Sequence, residues 1–241
     1  MNNLCTICMR GGSKGVPNKN LKAIAGKPLM AYTIEQALAC GLFQHVVVST
    51  DSAEIAETSR RLGADSWFLR PAELATDEAA KIPVIRHALL ESEKHFGQKF
   101  DVLIDLDVTS PLRNIDDIVG AYRQFIDEDA DILITGSPAR KNPYFNMVER
   151  VGKRIRKIKE LDPPPARRQD APEVYDMNAS IYIWKRDTLI TCDTLFTPKT
   201  SLYVMPEERS VDIDTHIDFD LVELIMRKNS RVKNDRLLKK I

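Results

Sequence analysis

The chain has 241 residues, 43% of them hydrophobic and 29% charged, which is the composition of a globular α/β protein and not of a disordered or fibrous one. Lys plus Arg and Asp plus Glu both total 35, so no overall field draws in nucleic acid or a membrane surface, and an anionic partner has to be met by a local cluster. No apolar run approaches a membrane span and no leader pattern opens the chain, so a soluble, cytoplasmic protein is expected.

Short β-rich runs alternate with helical periodicity along the first half. "LCTIC" is followed by "LMAYTIEQALAC", then "HVVVST" and "AEIAETSRRLG". "SWFLR", "KIPVIRHALLESEKHF", "FDVLIDLDV", "DIVGAYRQFIDE" and "DILITG" continue the pattern, with "SWFLR" expected as a strand. This alternation implies right-handed βαβ units and a mostly parallel, doubly wound sheet covered on both faces, a three-layer α/β/α fold. Ligands of such sheets bind beyond the carboxyl ends of the strands. From Ser137 to about residue 180 the rhythm breaks into a basic, Pro-rich stretch flanked by the strand-like "YFNMVER" and "SIYIWKR". A β-hairpin excursion over residues 137–180 is expected inside one domain spanning 1–241, and such arms often pair with a second subunit. The chain returns through "SLYVM" and "SVDIDT" to the helix "HIDFDLVELIMRK" and a basic tail, "RKNSRVKNDRLLKK", expected as a solvated helix end.

The first strand empties into "MRGGSKGVPNKN". Its glycines allow backbone N–H groups to turn toward an anion, while Arg10, Lys14 and Lys19 supply charge. Neither GxGxxG nor GxxxxGK[ST] is present, so the loop is no familiar phosphate motif, and a solvated basic loop is the competing reading. Its place at the end of the first strand favours a polyphosphate site. Near the other end of the chain, "SVDIDT" sets Asp212 and Asp214 two apart. In an extended segment both carboxylates then project to one face and can share a magnesium ion, which takes one or two carboxylates plus phosphate and water oxygens. An acidic turn capping the last helix is the alternative.

"RGGSKGVPNKN" resembles the signature loop of the acylneuraminate cytidylyltransferases, which make CMP-sialic acids from CTP. The likeness continues in order through "STDSAEIAE", "LRPAELATDEA", "TSPLR", "NASIYIW" and "VDIDTHIDF". It implies that Arg10, Gly12, Ser13, Lys14, Lys19 and Asn20 contact phosphates and ribose, and that Arg70, Ala80 and Lys81 lie near the cytosine. It further implies a magnesium ion on Asp212 and Asp214, and attack by the anomeric hydroxyl of a nine-carbon keto-acid sugar on the α-phosphate of CTP. Arg10, Lys19, Asp107 and Asp214 would carry the chemistry. A homodimer through residues 137–180 is also implied, with Arg168 crossing to the neighbouring subunit.

The chain departs from the sialate-activating members at the sugar end. Asp107 and Val108 stand where those carry Gln and Pro, Phe145 where they present Lys, and Asp176 where they present Arg; Arg168, Asn178 and Tyr182 match, and Phe196 completes the expected sugar pocket. An apolar ring in place of a cation suits a sugar tail that ends in methyl. "CTICMRGGSKGV", "LIDLD", "ARKNPYFN" and "YDMNASIYI" together are most similar to the legionaminate branch. Asp107 is expected at a strand tip as proton acceptor, third metal carboxylate or helix cap. N-acetylneuraminate, pseudaminate and 3-deoxy-octulosonate are the rival sugars, and a non-catalytic CTP-binding protein is the distant alternative. "CTIC" is expected to be buried thiols, since residues i and i+3 of a strand face opposite sides, and the four scattered histidines are expected to be structural.

Overall fold

The computed structural model describes residues 1–238, with side chains through Ser230, so the basic tail beyond that point lies outside the described side chains. The first strand, β1 (Asn3–Cys8), leads through the small hairpin β2 (Ala23–Ile24) and β3 (Lys27–Pro28) into α1 (Leu29–Ala39). Then come β4 (His45–Ser49), α2 (Ala53–Arg61), α3 (Lys81–Phe96), β5 (Val102–Leu106), α4 (Ile115–Asp127) and β6 (Ile132–Pro138). An arm of β7 (Val148–Val151) and β8 (Arg154–Lys157) follows, and β9 (Tyr175–Met177), β10 (Ile181–Lys185), α5 (Arg186–Thr191), β11 (Thr200–Val204) and α6 (His216–Leu238) complete the chain.

The main sheet has the order β11-β6-β10-β5-β1-β4, with β9 on the far end of β6. The pairs β1/β4, β1/β5 and β6/β11 are parallel; β10 runs antiparallel between β5 and β6. The expected mostly parallel α/β sheet is therefore present, with β10 reversed near its centre and β9 reversed at the end of β6. Strand alternation divides the core. Cys5, Ile7, Ile104 and Ile183 pack with Ile34 of α1, Phe125 of α4 and Phe219 of α6, while Leu4, Leu103, Tyr182 and Trp184 pack with Ile85 and Leu89 of α3. Both faces are covered, which is why β1 is apolar on both sides.

Local signals set the helix ends. Ser52 accepts from the Ile55 amide at the start of α2, Asn114 and Asp117 form a capping box on α4, and α3 stops at Gly97 in the left-handed region, with φ 64°. "SWFLR" is not a strand: only Asp65 bridges to Val47. Its rings pack on α3 instead, Trp67 stacked on His95 with centroids 4.1 Å apart and Phe68 edge-on to His87. Cys5 is buried and Cys8 half-buried, unpaired with each other as the strand geometry of "CTIC" requires, and Cys40 and Cys192 are free thiols as well. The arm leaves the sheet between β6 and β9. Ser137, Pro138 and Tyr175–Met177 belong to the main sheet, so what projects is narrower than the expected 137–180. No helix among the described residues is long and apolar enough to cross a membrane.

Candidate active site

The parallel strands β1, β4 and β5 release their chains at one end of the sheet. There the glycine loop, the turn Asp51–Ser52 and the Asp107–Thr109 segment converge with the late stretch that carries Asp214. A cavity of about 230 Å³ opens between them. Arg10, Ser13, Lys14, Lys19 and Asn20 line it from the loop, and Asp107 and Asp214 line it from the other side. Residues far apart in sequence thus present cations and carboxylates to one space.

The loop is tied down at several points. The Gly11 amide donates to Asp51 Oδ1 at 2.9 Å, and the Asn20 side-chain amide donates to the Arg10 carbonyl at 2.9 Å. The Lys19 ammonium donates to the Ile213 carbonyl, joining the loop to the aspartate segment. Gly15 is pressed so closely on that segment that a Cβ would stand 2.0 Å from the Asp214 carbonyl oxygen. Gly12 has open space around it. Arg10 and Lys14 both pair with Asp77, whose carboxyl is held below its usual range, chiefly by the Lys14 hydrogen bond.

Asp107 stands directly beyond β5, two residues after Asp105, so both carboxylates face α3. Its Oδ1 accepts from the Thr109 amide at 3.0 Å and the Thr109 hydroxyl at 2.9 Å, and its Oδ2 accepts from Lys81 at 2.8 Å. Burial pushes the Asp107 carboxyl up, but the Lys81 charge and these bonds prevail and hold it at about 2. Behind it lies Arg113, 1% exposed, donating to the carbonyls of Asp107 (3.2 Å) and Ser180 (2.6 Å) and to the Thr33 hydroxyl (3.0 Å). Burial lowers this guanidinium to about 10. It staples the end of β5 to the start of β10 through donors that only arginine supplies in a planar fork.

Asp212 and Asp214 do not share one lining. Asp214 faces the loop cavity, whereas Asp212 lines a neighbouring cavity of about 340 Å³ with Asp176, Asn178 and Ser210. Burial, joined by the charges of Asp107 and Asp214, raises the Asp212 carboxyl to about 6, and its Oδ1 is buried with no hydrogen-bond partner. An orphaned carboxylate oxygen whose group feels the charges of two other carboxylates fits a cation, and the hard oxygen donors fit magnesium. Among the described residues no trio of His, Cys, Asp or Glu is arranged to hold a metal without help, so the phosphate oxygens of a ligand would complete the shell.

The match to known proteins covers nearly the whole chain: a cytidylyltransferase family model aligns with residues 4–238. The chain belongs to the cytidylyltransferase family. It is 49% identical over 232 residues to the post-translational flagellin modification protein B of Campylobacter coli, covering 96% of this chain and 98% of that one. It is 51% identical to the CMP-N,N'-diacetyllegionaminic acid synthase of Campylobacter jejuni, again over 232 residues, 96% of this chain and 98% of that one. Among solved structures, a CMP:2-keto-3-deoxy-manno-octonic acid synthetase complexed with CTP superposes with a TM-score of 0.70 at 16% identity, over 95% of this chain and 100% of that one, and so shares the fold. The resemblance drawn from the loop and its companion motifs, including the legionaminate branch, therefore holds.

For a cytidylyltransferase, the sugar end of this chain is loosely furnished. Asn178 is buried and used up: its Oδ1 accepts from Thr135 at 2.6 Å and its Nδ2 donates to Ser210 at 3.0 Å. Tyr182 is buried, with the Lys81 ammonium 4.7 Å from its ring centroid. Phe145 and Phe196 are exposed, and Arg168 donates to the Ala139 carbonyl within the arm. Arg70, expected near the cytosine, is buried and donates to Ser49 Oγ (3.2 Å) and the Met9 carbonyl (3.3 Å), bracing the ends of β4 and β1. Ala80 is the N-cap of α3 and makes no side-chain cap. Lys81 reaches the β5 carboxylates. Asp77, Asp105 and Arg113 have no counterpart among the expected site residues; the i, i+2 spacing of "DLD" was the one signal available for Asp105. Another cavity, about 740 Å³, lies at the opposite end of the sheet, where Lys185 is paired with Asp129 and Asp131, and Arg186 with Glu93.

Proposed function

We propose that the protein transfers the cytidylyl group of CTP to a nine-carbon keto-acid sugar, N,N'-diacetyllegionaminic acid before others, and releases pyrophosphate. One observation carries the reading: Arg10, Lys14 and Lys19 line the same cavity as Asp107 and Asp214. Both signs of charge around one polar space suit a polyphosphate accompanied by a divalent cation.

In this reading the loop amides with Arg10, Lys14 and Lys19 bind the triphosphate, Ser13 and Asn20 hold the loop's shape at its edge, and Asp212 and Asp214 hold magnesium. The metal, when bound, offsets charge on the phosphate oxygens. The sugar fills the neighbouring cavity with its anomeric hydroxyl toward Asp107. That oxygen attacks the α-phosphorus in line, the bond to the β-phosphate oxygen breaks, and pyrophosphate departs with its electron pair. With its carboxyl held at about 2 and both oxygens already accepting bonds, Asp107 orients the hydroxyl and fixes negative charge instead of taking up a proton. In a loose transition state the hydroxyl proton leaves late and passes to solvent water or to the departing pyrophosphate, so positioning outweighs base strength.

Exposed Val148, Val151, Ile155 and Ile158 on the arm, with Phe145 beside them, support a homodimer in which a second subunit's arm closes the sugar pocket. A CTP-consuming enzyme of this kind belongs in the cytoplasm. Pyrophosphate release with CTP, magnesium and a sugar panel tests the whole reading. N,N'-diacetyllegionaminate is expected to exceed N-acetylneuraminate in kcat/KM by about 10–200-fold, the span an apolar pocket allows for one missing hydroxyl. Preference for N-acetylneuraminate, pseudaminate or 3-deoxy-octulosonate would reassign the sugar, and CTP binding without turnover of any of them would leave a nucleotide-binding protein.

A further inference from the structure

Lys81 occupies a position that helix physics disfavours. It is the first residue of α3, where the helix dipole repels a cation, and its N-cap neighbour Ala80 offers no side-chain acceptor. Something else must hold it there. Its ammonium lies 2.8 Å from Asp107 Oδ2, 3.2 Å from Asp105 Oδ2 and 4.7 Å from the centre of the Tyr182 ring. Asp105 is 1% exposed; its Oδ1 accepts from the Thr6 hydroxyl at 2.8 Å, but its Oδ2 has no hydrogen-bond partner, so Lys81 answers it by charge alone. The register of the sheet assembles this group: Thr6 on β1 and Tyr182 on β10 sit opposite Asp105 on either side of β5.

We propose that Lys81 is a positioning residue of the reaction: anchored by buried Asp105 and the face of Tyr182, its ammonium fixes the Asp107 carboxylate at the wall of the nucleotide cavity. The inference rests on the reading of Asp107 given above, and it moves Lys81 from the cytosine to the reacting end. Without the ammonium, Asp105 and Asp107 face each other as two like charges on one side of a strand. Asp107 then keeps only the Thr109 donors on one oxygen and is free to turn. Burial works against the Lys81 charge, yet the two carboxylates hold its ammonium above the ordinary lysine range. The arrangement is consistent with a permanent ion cluster.

The test compares wild type, Lys81→Met, Lys81→Arg and the charge-balanced Lys81→Met/Asp105→Asn, each with CTP, magnesium and the sugar that wild type turns over fastest. Lys81→Met is expected to lower kcat about 100-fold, the scale of a misplaced reacting group, with the KM for CTP unchanged within about threefold. Lys81→Arg is expected to recover at least about tenfold of that loss, since it keeps a cation beside both carboxylates. The double variant removes the uncompensated buried charge, so its Tm should return toward wild type while its kcat stays low. Recovery of kcat together with Tm in the double variant would make Lys81 merely structural and overturn the proposal. A raised KM for CTP with kcat intact would return Lys81 to the nucleotide, and full activity of Lys81→Met would also overturn it. If wild type turns over no sugar, the proposed function fails and this inference falls with it; an active wild type confines any failure to Lys81.

Discussion

Around the glycine loop, polar groups from well-separated stretches bond to one another: Gly11 to Asp51, Arg10 to Asp77, Lys19 to Ile213 and Lys81 to Asp107. The arm is built the other way. β7 and β8 pair with each other in a separate two-stranded sheet and leave Val148, Val151 and Ile155 in solvent. A two-stranded ribbon with exposed apolar side chains is at best marginal alone, whereas the strand ends are braced by the main sheet. The residues expected to handle charge line one cavity within the chain, whereas Phe145 and Phe196, expected at the sugar, stand exposed.

Substitutions that act on one region and spare the other can break this contrast. The largest effect is expected from Gly15→Ala. Its Cβ meets the Asp214 carbonyl backbone, which no side-chain rotation relieves, so kcat/KM for CTP should fall at least about 100-fold as the two walls are forced apart. Steady-state kinetics with varied CTP measure it; near-normal activity would mean that the close approach of loop and aspartate segment is dispensable. Next, Ile155→Asp on the arm should shift sedimentation from dimer to monomer. Turnover of sugar should fall about tenfold while CTP binding by calorimetry stays within about twofold. Loss of CTP binding there would erase the contrast.

Phe145→Lys sharpens it within the sugar end. Adding a cation beside the sugar tail should narrow the preference for legionaminate over N-acetylneuraminate by about tenfold, read as the ratio of kcat/KM values. The smallest effect concerns stability alone, far from the site. Burial pushes the Glu93 carboxyl up, but bonds from Arg186 at 2.6 and 2.8 Å and from the Phe100 amide leave it depressed. A depressed carboxyl stabilises the fold above its unfolded value of about 4.3, and that contribution fades as pH falls through the folded value. Glu93→Gln should therefore cost about 1 kcal/mol at neutral pH, with the gap to wild type closing in acid, by urea denaturation across pH. Activity should not change.

How far the sequence reaches is visible in the same residues. The strand-helix alternation fixes a parallel sheet, and that places Arg10 and Asp107 at one end because each directly follows a strand. Periodicity cannot tell that "SIYIWKR" re-enters backwards between β5 and β6, because strand order is decided by crossovers that leave no local mark. "SWFLR" has strand composition, yet Trp67 and Phe68 gain more from stacking on α3 than from a ladder. Arg70 looks like a ligand cation on paper, and Arg113 is not among the expected site residues at all. In the fold they donate to backbone carbonyls at the strand ends, an arrangement invisible before the strands are assembled. Lys81 shows the same limit, since its partners depend on where α3 begins relative to the end of β5 and not on any motif.

Asp77 has a consequence for what the empty enzyme ignores. A carboxylate carried on the chain already sits on Arg10 and Lys14, so any incoming anion competes with a tethered rival that never diffuses away. Inorganic phosphate, untethered and with a single point of attachment, should inhibit weakly, and Asp77→Asn should make it a better inhibitor. On the proposed reading a triphosphate, spanning several donors at once, would displace the carboxylate, and after turnover Asp77 would be at hand to reclaim both side chains and hurry the departing pyrophosphate out.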